Sequence, residues 1–103
     1  VLAANKEYSA VDLAGGVYRG VDKAVPTIGV WNVMICQAGL STDLVYKLVK
    51  SLYEHQDYLL KIHPSASYTT AENAVKYSPI PLHPGTIKYL KEKGIAVPAN
   101  LMP

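Results

Sequence analysis

The sequence has little of several features that mark particular classes of protein. Its 103 residues contain one cysteine and no phenylalanine, and charged residues make up only 17%. A single cysteine excludes a disulfide within the chain. The net charge of +2 is too small to indicate a nucleic-acid or anionic-membrane surface. The longest apolar run, residues 28–40, contains Asn32 and Gln37 and is too short to span a bilayer.

The remaining composition is that of a small folded unit. Hydrophobic residues make up 50% of the chain, and the length is enough for one small domain. Eight tyrosines are present, and tyrosine suits half-buried surfaces because its ring packs while its hydroxyl finds a polar partner. We therefore expect part of the surface to face another domain or chain, with an ordinary tyrosine-rich surface as the alternative.

The first part of the chain has the pattern of β-strands. Residues 8–13 alternate weakly between apolar and polar, and residues 17–20 are predicted to be extended. The strongest strand signal is residues 25–36, which are rich in β-branched side chains. This run is long for one strand. It is consistent with a strand that crosses between two lobes, or with two ordinary strands that meet at a kink near Gly29.

The second part of the chain has the pattern of helices. Ser41 is predicted to be the N-cap of a helix that runs to about His55. Its apolar face, expected to pack on a core, is formed by Leu44, Leu48 and Leu52 with Val45 and Val49 beside them. A capping box at residues 69–72 predicts a short helix over residues 70–76. A last helix is predicted over residues 86–93, followed by Gly94 at its C-terminal end. This order of elements predicts an α/β or α+β fold.

No catalytic or metal-binding pattern stands out among the reactive side chains. His55, His63 and His83 have no i, i+4 pairing, and no carboxylates repeat at ligand spacing. Cys36 is predicted to lie in an apolar strand, where a thiol is an inert hydrophobe. The lysines and tyrosines near the C-terminus are interpreted as a solvated helix face. The sequence therefore predicts no enzyme, no metal site and no nucleic-acid partner.

One C-terminal segment resembles a known family. Residues 79–95, above all Pro81-Leu82-His83-Pro84-Gly85, are similar to the closing segment of TAXI-family solute-binding receptors of TRAP transporters. The sequence departs from that pattern at Thr86, where the family usually has alanine. Other stretches agree in order and spacing: residues 16–20, 24–30, 40–46, 63–64 and 69–74.

The resemblance implies a two-lobe α/β fold of the type II periplasmic-binding-protein class. This chain would then be the C-terminal third of the receptor, and the N-terminal part would be missing upstream of Val1. Residues 1–24 would end the second lobe, residues 25–36 would form the interlobe strand, and residues 37–103 would return through helices to the first lobe.

The resemblance also implies a function outside the cytoplasm, in the periplasm. Such receptors capture a small organic anion, a glutamate-like amino acid or a dicarboxylate, and deliver it to membrane permease subunits without a cofactor. Within this chain Tyr18 and Thr27 are the residues expected to contact the ligand. The alternatives are a ligand-sensing module of the same fold in signalling, a fragment that does not bind, and a small enzyme.

Overall fold

The chain divides into two units that are described separately. The computed structural model describes residues 2–103, and the division falls between Val33 and Met34. The first unit contains two strands, and the second contains four α-helices and two short 3-10 helices. The elements are β1 Ser9–Leu13, β2 Val25–Gly29, α1 Thr42–Glu54, α2 Gln56–Ile62, α3 Ala71–Tyr77, α4 Pro84–Glu92, and the 3-10 helices Pro64–Tyr68 and Ala99–Leu101. A small mixed α/β structure is therefore confirmed.

The two strands form an antiparallel sheet whose register pairs Ser9 with Gly29 and Leu13 with Val25. Residues 17–20, predicted to be extended, instead belong to the turn that joins the strands. In that turn the Gly16 amide donates to the Val21 carbonyl at 2.6 Å, and the Val21 amide donates to the Tyr18 carbonyl at 3.1 Å. These bonds reverse the chain direction, so the prediction of an extended segment was wrong.

The long strand predicted over residues 25–36 is only five residues long, from Val25 to Gly29. Residues 30–36 have no regular structure, and Cys36 is exposed among them instead of packed in an apolar strand. The ladder ends because β1 begins at Ser9, opposite Gly29, and a strand needs a partner to extend. The β-branched residues after Gly29 favour a strand but cannot supply that partner.

The two-stranded sheet has no core of its own. None of residues 2–33 is buried, and apolar side chains of β2 and the residues after it are exposed, among them Val25, Ile28 and Val30. A two-stranded sheet is marginally stable in water, because it needs more strands or a packed layer to bury one face. The apolar side chains of this unit are therefore suited to a covering layer.

Helix α1 begins where the sequence predicts. The Ser41 side chain accepts a hydrogen bond from the Leu44 amide at 3.1 Å, which satisfies one of the amides left free at a helix start. Asp43 lies in the first turn, where the helix dipole favours a negative charge, and pairs with Lys47 at 2.9 Å. The helix ends at Glu54, and α2 follows after His55.

The buried part of α1 is the valine side of the predicted apolar face. Leu44 and Leu48 are 55% and 47% exposed, whereas Val45 is buried and Val49 and Tyr53 pack on the core. The leucines and the valines occupy adjacent positions on the helix and so lie about 100° apart around it. Both stripes are apolar, and the position of α4 decides which one is buried.

The core of the second unit lies between α1 and α4. Leu90 of α4 is completely buried. Tyr89, also of α4, and Ala71 of α3 lie beside it. The tail after α4 returns to this core, because the Leu82 amide donates to the Leu101 carbonyl at 2.8 Å. Leu101 is itself buried.

Two helices, α3 and α4, begin at residues other than the predicted ones. Thr70, not Thr69, caps α3, and its side chain accepts from the Asn73 amide at 3.2 Å. The N-cap was therefore predicted one residue too early. Thr69 is instead the C-cap of the 3-10 helix that precedes α3. Helix α4 begins two residues before Thr86 and ends at Glu92, and Gly94 has the positive φ of 75° expected of a glycine after a helix end.

Replacing Ser41 by alanine is expected to destabilise the chain by about 1 kcal/mol, because the Leu44 amide loses its acceptor. The free energy of unfolding is measured by urea denaturation with helical circular dichroism. The control is Ser51→Ala, a serine-to-alanine change within the same helix. Its expected change is within about 0.5 kcal/mol. Equal losses in the two variants would contradict the assignment of the cap.

Candidate functional site

The two predicted ligand residues lie on the surface of the first unit. Tyr18 is in the turn between β1 and β2 and is 64% exposed. Thr27 is the central residue of β2, opposite Val11, and is also exposed. Within residues 2–103, no hydrogen bond joins the two side chains. The structure thus gives each of them access to solvent without forming a closed site around them, and their role in ligand binding stays a prediction.

The three histidines bond to nearby backbone and serine groups. His55 donates from Nδ1 to the Ser51 carbonyl at 2.7 Å, and His63 accepts at Nδ1 from the Ser65 amide at 3.1 Å. Residues 2–103 contain no group of three or more histidine, cysteine or acidic side chains placed to hold a metal.

In the same part of the chain, no helix is both long and apolar enough to cross a membrane.

His83 connects the starts of two helices. Its Nδ1 atom accepts from the Gly85 amide at 3.1 Å, which caps α4. Its Nε2 atom lies 3.1 Å from the Leu40 carbonyl, which precedes α1. Because a carbonyl only accepts and an amide only donates, both bonds together require neutral imidazole with its proton on Nε2. One side chain therefore fixes the start of α4 against the segment before α1.

Gly85 allows the two helices to approach closely. A Cβ atom at this position would lie 2.6 Å from the Thr42 carbonyl oxygen and 2.7 Å from both the Tyr46 amide nitrogen and Val45 Cβ. Two of these atoms belong to backbone, which cannot rotate away as a side chain can. The side chain of any other residue would push α4 away from α1, so this position requires glycine.

A polar cluster joins the middle of α1 to the second half of α4. The Tyr46 hydroxyl donates to the Glu92 carboxylate, Lys50 lies 3.9 Å from that carboxylate, and the Lys88 ammonium lies 4.6 Å from the centre of the Tyr46 ring. The hydrogen bond from Tyr46 is the main cause that lowers the pKa of Glu92, and the bond to Glu92 is the main cause that raises the pKa of Tyr46. This cluster is exposed, so it orients the helices more than it stabilises them.

The sequence singled out Pro81–Gly85 by resemblance, but the pairing of Tyr46 with Glu92 carried no sequence signal. These residues are 46 positions apart, and each lies in an ordinary helix pattern. The structure shows the segment from Leu82 to Gly85 as a packing element: His83 caps, Gly85 permits contact, and Leu82 holds the tail. We call these residues, with Pro84, the helix clamp.

Comparison with known proteins places the chain in a family. The model of the NMT1-like family matches residues 1–94. The chain belongs to the NMT1-like family. The match covers the sheet unit, all four helices and the helix clamp, and it ends at Gly94 after α4. No curated protein matches the chain.

Membership of the NMT1-like family indicates the general function of the protein. The NMT1-like family is a family of the extracytoplasmic solute-binding type, so this NMT1-like chain is assigned a solute-binding function. Such a function implies a small-molecule ligand and, as is typical of the family, a place outside the cytoplasm. Family membership also indicates a periplasmic-binding-like fold.

Replacing Gly85 by alanine is expected to destabilise the second unit by at least about 2 kcal/mol, because the new Cβ collides with α1 backbone. Urea denaturation measures the loss. Gly39→Ala is the matched control, since no atom lies within 4 Å of the Cβ position there. Its effect is expected to stay within about 1 kcal/mol. A Gly85→Ala variant as stable as the control would show that the helices do not depend on the contact.

Replacing Tyr46 by phenylalanine is expected to raise the pKa of Glu92, because the carboxylate loses its main hydrogen bond. A carboxyl group whose folded-state pKa is lowered stabilises the fold above its unfolded pKa, and that contribution is lost as the pH falls through the folded value. Nuclear magnetic resonance titration of the Glu92 carboxyl group measures the change. Tyr58→Phe, at an exposed position of α2, should leave the titration unchanged, and an unchanged titration in Tyr46→Phe would contradict the assignment.

Proposed function

We propose that this chain is the C-terminal portion of the solute-binding subunit of a TRAP-type transporter, of the TAXI kind. The subunit captures a small organic anion, a glutamate-like amino acid or a dicarboxylate, outside the cytoplasm and delivers it to membrane permease subunits. The observation that carries the proposal is the NMT1-like match over residues 1–94. The similarity of Pro81–Gly85 to the closing segment of TAXI receptors supports the finer assignment.

The exposed apolar side chains of the sheet unit support a larger protein. A two-stranded sheet with no buried residue among residues 2–33 suits a protein whose remaining strands complete it. In this proposal an upstream part of the receptor supplies those strands. Residues 1–24 end the second lobe, residues 25–36 cross between lobes, and residues 37–103 form the helical return.

The chemistry of the proposed site is binding without reaction. Tyr18 and Thr27 both carry hydroxyl groups that can donate to a carboxylate, and both are exposed on the sheet unit. Most of the groups that neutralise the anion belong, in this proposal, to the upstream part. The subunit has no cofactor and is not an enzyme.

The test is calorimetric titration of the full-length receptor with glutamate, 2-oxoglutarate and succinate, and with succinamide and glycerol as uncharged comparisons. One site per molecule with a preference for the carboxylates is expected. Tyr18→Phe and Thr27→Val are each expected to weaken binding about fivefold, because each removes one hydrogen bond. Tyr58→Phe, at a tyrosine equally exposed at 64%, is the matched control.

The outcomes separate the parts of the proposal. A full-length protein that binds none of the three carboxylates would contradict the choice of ligand class. Anion binding that neither Tyr18→Phe nor Thr27→Val weakens would contradict the site residues while leaving the receptor assignment in place. The 103-residue chain alone is expected to bind none of these anions, because most of the site lies upstream.

A further inference from the structure

A recess opens on the second unit, far along the chain from the predicted ligand residues. It has a volume of about 330 Å³ and lies between the end of α1, the start of α2, the start of α3 and the end of α4. Tyr53, Gln56, Glu72, Tyr89 and Lys93 supply its aromatic and polar surface. A recess of this size is large enough for a small metabolite.

Two tyrosine rings form its aromatic wall. The rings of Tyr53 and Tyr89 stack with their centres 5.8 Å apart and their planes 20° apart. Tyr89 is only 3% exposed, so its ring is held rigidly by the core. The Lys93 ammonium already lies 5.6 Å from the centre of the Tyr89 ring. The protein's own ammonium group therefore already lies near the Tyr89 ring, and electron-rich ring faces favour such a contact.

The recess is lined by one acid, Glu72, and one base, Lys93. Lys93 is neutralised by Glu54, at 3.3 Å. Glu72 makes no ion pair within residues 2–103. Burial is the main cause that raises the pKa of Tyr53, with smaller contributions from Tyr89 and from the nearby Glu72 carboxylate. The Glu72 carboxylate, in the first turn of α3, therefore has no ion-pair partner within residues 2–103 and is near enough to Tyr53 to raise its pKa.

The side-chain amide that lines the recess already donates to the protein itself. Gln56 donates from Nε2 to the carbonyl groups of Ala66, Ser67 and Thr69, at 3.1, 3.3 and 3.3 Å. The Tyr53 hydroxyl, by contrast, makes no hydrogen bond within residues 2–103. What remains for a ligand is the Glu72 carboxylate together with the phenol oxygen and ring of Tyr53, which favour a cation over an anion.

We propose that this recess binds a small organic ammonium ion, with its charged nitrogen between Glu72 and the hydroxyl of Tyr53 and its apolar part against the Tyr53 ring. This inference does not depend on the proposed transport function, because it concerns a ligand of opposite charge and a separate unit of the chain.

The experiment is a titration of the isotope-labelled 103-residue chain with n-butylammonium chloride, followed by nuclear magnetic resonance. Sodium chloride at matched ionic strength controls for screening, 1-butanol controls for apolar contact alone, and sodium butyrate tests the sign of the charge. Saturable shifts at Tyr53, Glu72 and Tyr89 are expected with n-butylammonium only.

Two variants test the assigned groups. Glu72→Gln removes the charge and keeps the shape, and it is expected to weaken n-butylammonium binding about tenfold. Tyr53→Phe keeps the ring and removes the hydroxyl, with an expected loss of about fivefold. Glu7→Gln, a matched change of an exposed acid in the sheet unit, is expected to have no effect.

Three results would overturn the inference. The first is a titration without saturable shifts at the recess. The second is equal binding of 1-butanol or butyrate, which would show that the charge of the ligand plays no part. The third is a Glu72→Gln variant that binds n-butylammonium as tightly as the unchanged chain.

Discussion

Helix α4 lies against α1 because residue 85 has no side chain. The missing Cβ lets α4 approach to within contact of the Thr42 carbonyl and the Tyr46 amide. That approach places the centres of the Tyr46 and Tyr89 rings 6.3 Å apart and lets the Tyr46 hydroxyl donate to the Glu92 carboxylate. The buried residues of the second unit and the tail that ends on Leu101 are arranged around this contact. The sequence segment that most resembles a known receptor family thus has a packing role.

Short stretches of sequence predicted where helices begin and end better than they predicted which strands pair and which helix faces pack. The cap at Ser41 and the glycine after α4 at Gly94 depend on a few neighbouring residues, and both are confirmed. The strand predicted beyond Gly29 failed because its pairing depends on where β1 begins. The predicted apolar face of α1 includes both leucines and valines, and only the position of α4 decides that Val45 is buried while Leu44 and Leu48 stay exposed.

The two candidate sites also differ in how far the sequence could predict them. Tyr18 and Thr27 came from resemblance, and the structure shows them exposed on the sheet unit. The tyrosine recess had no sequence signal, because Tyr53, Glu72 and Tyr89 belong to three helices that meet only in the fold. The family assignment rests on the match over residues 1–94, and that match gives a solute-binding function without naming the solute.

The central claim is that the helix clamp holds the second unit together by contacts within this chain, whereas the sheet unit lacks a core. Native-state hydrogen exchange of the 103-residue chain tests this claim most directly. The account predicts that core amides of α1 and α4 exchange only through global unfolding, while the paired amides of β1 and β2 exchange through local opening with weak protection. Strand amides protected as strongly as those around Leu90 would contradict it.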